Sequence, residues 1–251
     1  MDEELFKKVI DSENYISGIY NYCDRWCEKC TYTDKCLSYH MSKHTYDGRN
    51  VVTDRKFWTD LENSFKLVKD MLNNYMMEHN IPFPDEKDDD LIGIEMKKVQ
   101  NLVKADPILL EAQNYTMFSS ELLRDNNNFT SPEYLLKPES NEQSTIDALH
   151  EAVEIILYYK SLIFVKISRA LHSYYMKDEH ELDDYEEDKL ISAKIALLAV
   201  ERSMASWHYI FESLKHSFDA IIDLLLLLNN IKIKIEKLIP NVVNYKRPYF
   251  D

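Results

Sequence analysis

Residues 185–217 read YEEDKLISAKIALLAVERSMASWHYIFESLKHS. Ala193, Leu197, Val200, Met204, Trp207, Phe211 and Leu214 recur every three or four positions, which places them on one stripe of a helix. The preceding stretch from Ser144 to about Met176 is dense in Ile, Leu, Val and Tyr, and the acidic run Lys177 to Asp184 separates the two as a loop. Two long apolar-faced helices joined by a short polar loop form an antiparallel hairpin. A further helix is expected over about 218–238. Within it Ile231-Lys-Ile-Lys-Ile alternates like a strand, but no partner strand is visible elsewhere. Pro240 ends it.

Working back toward the N-terminus, the periodicity predicts helices at about 107–124, with Pro107 at the first position, and at about 91–104. Asp85 to Asp90 reads as a solvated acidic connector. Thr53 or Asp54 can cap a helix to about Asn80, with Phe57/Trp58, Leu61, Phe65, Val68, Leu72 and Tyr75/Met76 on one stripe; Pro82 and Pro84 stop it. Residues 40–53 read as a loop, and residues 3–22 as a helix leading into a cysteine-rich segment. The expected architecture is all-α: an antiparallel bundle of long helices forming a single helical domain over 1–251, with 1–45 as a cysteine-rich N-terminal segment.

Composition narrows the functions. Three glycines in 251 residues leave almost no material for phosphate-binding loops or Rossmann turns. A net charge of −14 argues against nucleic acid as a partner, since that affinity rests on Lys and Arg. The opening Met-Asp-Glu-Glu-Leu-Phe-Lys-Lys lacks the pattern of a signal peptide. The most apolar run, Ile221 to Leu228, is too short to span a bilayer and contains Asp223. The expectation is a cytoplasmic protein without membrane or nucleic-acid partners. A protein partner and the oligomeric state are left open.

All four cysteines lie within fourteen positions, at Cys23, Cys27, Cys30 and Cys36. In a reducing compartment disulfides are the poorer reading, and a metal site the better one. Free cysteine also packs as a small hydrophobe, and Cys23, Cys27 and Cys30 could extend one helix face. Their hydrophilic neighbours Asp24, Arg25, Glu28 and Lys29, and the separate Cys36, weaken that alternative. If a helix ran on through Cys30, the outer two of the three thiols would stand ~10 Å apart along its axis. Zn–S bonds of ~2.3 Å cannot bridge that gap, so a mononuclear site requires the helix to break around Trp26. The spacing C-x3-C-x2-C-x5-C lacks the paired CxxC knuckles of structural zinc sites. Three close cysteines plus a fourth are more typical of [4Fe–4S] ligation. The expected cofactor is an iron–sulfur cluster, with zinc as the alternative.

Two motif families share part of this spacing. Cys23-x3-Cys27-x2-Cys30 is similar to the radical SAM motif, but Lys29 stands where that family carries an aromatic, and the chain has neither the strands nor the glycines of its barrel. Cys27-x2-Cys30-x5-Cys36 is similar to part of the SPASM auxiliary-cluster spacing. The string from Ile19 to Cys36, containing YCDRWCEKC, most resembles the opening of a bacterial family of helical proteins. That resemblance covers about twenty residues and implies no activity.

A third reading is a ferritin-like di-iron enzyme, because Asp147, His150 and Glu154 lie near one another on one long helix and Glu201, His208 and Glu212 on the next. Neither helix contains Glu-x-x-His. Glu201 and His208 fall roughly 60–80° from the apolar stripe's centre, a boundary position where polar side chains are ordinary. His40 and His44 could add a ligand to the cysteine site, or be loop histidines. No nucleophile motif assigns catalytic residues. The leading expectation is a metal-binding helical protein with a redox, sensing or structural role. The main alternative is a non-enzymatic interaction scaffold held by zinc or by no metal.

Overall fold

A computed structural model of the protein describes residues 14–45, 55–81, 86–125, 142–176, 182–214 and 219–251. Among them are seven α-helices: α1 (Leu37–Thr45), α2 (Arg55–Glu78), α3 (Glu86–Ala105), α4 (Pro107–Asp125), α5 (Glu142–Tyr175), α6 (Leu182–Ser213) and α7 (Asp219–Leu238). The described residues form no strand, and well over half of the chain is helical. The protein is all-α. It divides between Ile94 and Glu95 into two compact units.

The second unit is an up-and-down bundle of α4 to α7. The contacts of α5 and α6 run in opposite chain directions, as an antiparallel hairpin requires: Ser173 Oγ donates to Asp188 at 2.7 Å near the connection, and Arg202 donates to the Tyr159 hydroxyl midway along α5. Antiparallel α4 and α5 are joined where Thr116 Oγ1 donates to the Lys160 carbonyl at 2.7 Å. Glu111 on α4 and Glu201 on α6 each pair with α7, with Lys234 and Lys232, both at 2.7 Å.

Leu149, Ile156, Ile163 and Ile167 of α5 are buried in the bundle, as are Ile195, Val200, Trp207 and Ile210 of α6. On α7, Ile221, Leu224, Leu228, Ile231 and Ile235 are buried at alternating spacings of three and four. The Ile231-Lys-Ile-Lys-Ile alternation therefore sits on a helix: Ile231 and Ile235 face inward and Ile233 is exposed. Small residues of α6, Ala193, Ala196 and Ala199, are buried and let neighbouring helices approach closely. Trp207 Nε1 donates to the Tyr115 hydroxyl oxygen at 3.1 Å inside the core, so the buried indole N–H has its acceptor. No described helix is long and apolar enough to cross a membrane.

Several boundaries differ from expectation. Residues 14–22 are not α-helical: they form a turn and a 3-10 turn, Ile19–Asn21. Gly18 has φ 69°, a left-handed conformation that interrupts any helix, and Ile19 is buried as a result of the turn. The remainder of the expected 3–22 helix lies outside the described residues. The expected loop at 40 is instead part of α1, which starts directly after Cys36. The expected acidic connector is helical from Glu86 onward, as the start of α3, and its Asp85 lies outside the described residues. Helix α6 begins at Leu182, inside the expected acidic loop, whose residues 177–181 lie outside the described set, as do 126–141.

The C-terminus of α2 shows why sequence punctuation was shifted by two residues. Asn80 adopts φ 54°, Ile81 N–H bonds to the Met76 carbonyl at 2.9 Å, and Asn80 N–H bonds to Met77 at 3.4 Å. This is a Schellman ending, and it closes the helix before Pro82 is reached.

Candidate metal centre

The cysteines sit on a chain of turns rather than on a helix. Ile16 N–H donates to the Lys35 carbonyl at 3.0 Å, closing the segment into a loop. After the 3-10 turn at Ile19–Asn21, the Cys23 thiol donates to the Tyr20 carbonyl at 3.5 Å. Asp24 Oδ1 accepts the Trp26 N–H at 3.2 Å, a side-chain turn that redirects the backbone. Arg25 between them has φ 62°, and its carbonyl accepts the Cys27 N–H at 2.9 Å. The helix break that a mononuclear site requires around Trp26 is thus present.

Trp26 anchors that break. It is buried, and Lys29 Nζ lies 4.8 Å from its ring centroid. Cys27–Lys29 forms a 3-10 turn, and Cys30 leaves it in extended backbone, φ −89° and ψ 132°. The Cys30 N–H returns to the Cys27 carbonyl at 3.2 Å. Two residues on, Tyr32 N–H donates to Cys30 Sγ at 3.4 Å. Thr33–Lys35 makes a further 3-10 turn, and Cys36, extended, leads into α1.

All four thiols are free and half-buried. Burial pushes the Cys23 thiol up, and the Arg25 backbone N–H partly offsets this. Cys27 is also raised, first by burial, then by Cys23, Cys36, Glu28 and Cys30. Among the described residues, however, no three His, Cys, Asp or Glu side chains stand in a ligating arrangement.

His40 is partly buried and packs edge-on against Tyr15, with ring centroids 5.4 Å apart, and against Tyr39 at 6.2 Å. His40 thus packs as an aromatic side chain of α1 rather than standing in the expected loop. The His44 side chain lies outside the described set. Asp147, His150, Glu154, Glu201, His208 and Glu212 are all exposed. Asp147 accepts from Gln143 at 2.9 Å, and Glu201 pairs with Lys232. Di-iron ligands project into a bundle's interior, whereas these six side chains sit on its exposed surface. The interior positions nearby, Leu149, Ile156, Val200 and Trp207, are apolar.

Reasoning from spacing missed the left-handed Arg25 and the N–H···S bond from Tyr32. Asp24-Arg25 is the one signal that could have marked the turn, since Asp favours such side-chain turns. Comparison of the chain with protein-family models, with curated proteins and with solved structures gives no match. The resemblance of Ile19–Cys36 to a bacterial helical family rests on that motif alone.

Proposed function

We propose that the protein binds a metal centre, an iron–sulfur cluster, through Cys23, Cys27, Cys30 and Cys36, and that the centre serves a redox, sensing or structural role. The observation that carries this reading is geometric: the Ile16 N–H to Lys35 carbonyl bond closes a loop of turns that holds Cys23, Cys27 and Cys30, with Cys36 directly after it. Half-buried thiols ionise at a cost, and a bound cation removes that cost by taking the place of the protons. The N–H of Tyr32 already points at Cys30 Sγ, and such bonds tune potential at thiolate-ligated iron. The left-handed, non-glycine Arg25 is a second support, because strain of this kind gathers at functional turns. A centre built on reduced thiols suits the cytoplasm.

Zinc is the second reading, favoured by the tight turn between Cys27 and Cys30. It would make the segment a structural clip on an interaction scaffold. Anaerobic purification followed by iron, sulfide and zinc analysis separates the two. Brown protein with broad absorbance near ~400 nm, containing iron and sulfide, supports the cluster. One zinc per chain and no colour selects the clip. Neither metal, under conditions that keep the thiols reduced, rejects both.

A further inference from the structure

Helix α2 carries its apolar residues on the outside. Trp58, Phe65, Val68, Leu72 and Tyr75 are each more than half exposed, and Leu61 is partly so. Their spacing is three, four, three, four, three. That is the a/d pattern of a coiled coil, sustained over residues 58–75 and widened by Met71 and Met76 at flanking positions. A seam of this kind, more than half exposed among the described residues on a helix ~36 Å long, is suited to packing against another helix.

The flanking charges say which helix. We propose that α2 pairs antiparallel with α2 of a second copy of this chain. In that register Trp58 packs on the partner's Tyr75, Leu61 on the partner's Leu72, and Phe65 on the partner's Val68, so every layer is filled twice by symmetry. Glu62 and Lys69, both exposed, occupy successive e positions. Antiparallel pairing sets e against e, which brings Glu62 opposite the partner's Lys69 and Lys69 opposite the partner's Glu62. A parallel pair would instead set these e positions against g positions, which carry no charge between residues 57 and 71 of this sequence, so no opposite charges would face. The two-fold symmetric arrangement is self-complementary, as a closed dimer requires.

Light scattering or sedimentation of the full chain tests this. The wild type is expected at twice the chain mass. Phe65→Glu, at an exposed position, should weaken the dimer by on the order of a hundredfold while leaving the circular dichroism unchanged. Glu62→Lys and Lys69→Glu should each raise the dissociation constant by roughly tenfold, because each creates two like-charge contacts. The decisive step is to mix the two single variants: one then carries only lysines at these positions and the other only glutamates, and heterodimers should form preferentially. A wild-type monomer at all concentrations overturns the proposal, as would occupation of the seam by another part of the same chain. A dimer indifferent to Phe65→Glu, or charge variants that do not prefer each other, overturns it equally.

Discussion

The Tyr175 hydroxyl, at the end of α5, donates to Asp106 Oδ2 at 2.9 Å, while Asp106 Oδ1 accepts the Ile108 N–H at 2.7 Å at the start of α4. One buried carboxylate thus caps one helix and fastens the end of another. Asp106 precedes Pro107, and the proline at the first helical position leaves the Ile108 N–H as an orphan donor for the carboxylate.

Tyr175→Phe removes one partner of that carboxylate without changing the ring. It should destabilise the bundle by about 1–3 kcal/mol, because a buried oxygen is left without its donor. Burial, then Asp106 as acceptor and as neighbouring charge, push the Tyr175 hydroxyl up to about 12. An unfolded tyrosine ionises near ~10, so the folded value is raised. The contribution is therefore full below ~10 and is lost as pH rises through about 12. Denaturant melts should show the gap between wild type and Tyr175→Phe closing over that alkaline range. A gap independent of pH would show that the hydrogen bond is not what the substitution removes.

The chain's last residues give the opposite pH response. Arg247 is buried and donates through Nε and the Nη2 nitrogen to the Asp251 carboxylate, at 3.1 Å and 2.8 Å. The guanidinium holds the Asp251 carboxyl down to about 2 against some opposing desolvation, with help from the Arg247 backbone N–H. A lowered folded value means stability present above ~4 and lost as pH falls through about 2. Asp251→Asn should cost about 1–2 kcal/mol at neutral pH, reduced from the full linkage value because the carboxylate is partly exposed. The cost should vanish near pH ~2. Chemical denaturation of both proteins at matched acid pH checks this, and a constant difference down to pH ~2 would contradict it.

The bundle was legible because its signals are long and redundant. On α6 and α7 the inward positions repeat for several turns, so no single residue decides the outcome, and even Ile231-Lys-Ile-Lys-Ile is overruled by its neighbours. The cysteine segment was legible in its residues but not in its path. Tyr15, Ile16, Ile19 and Tyr20 fit a helical period, yet one left-handed Gly18 breaks it, and the next turn depends on a left-handed Arg25 that no propensity marks. Short turns are set by one or two dihedrals and local side-chain bonds, and periodicity averages over such features. The stripe on α2 was read as a stripe, but whether a stripe faces a core or solvent is decided by tertiary packing.

Metal binding should hold the cysteine loop closed. Replacing Cys27 and Cys30 by serine removes two ligands and should expose the segment up to residue 45 to protease, while α5, α6 and α7 stay protected. Wild type treated with a strong chelator or oxidant should behave the same way, since the affinity of thiolates for metal is realised only in the folded loop. If the cysteines merely pack, serine costs ~1–3 kcal/mol for an unpaired hydroxyl whether or not metal is present. Unchanged protection of the wild-type segment after complete metal removal would reject the staple.

The most direct measurement is X-ray absorption at the metal edge of anaerobically purified protein. A centre on Cys23, Cys27, Cys30 and Cys36 should give a shell of about four sulfurs near ~2.3 Å, whether the metal is zinc or iron, with an iron–iron shell only for the cluster. Cys36→Ser should remove one sulfur from the shell of a zinc site, but only about a quarter of a sulfur per iron from a four-iron cluster, where each iron carries one thiolate and three sulfides. A shell of nitrogen and oxygen alone, or no metal above trace in protein whose four thiols are reduced, would contradict the centre.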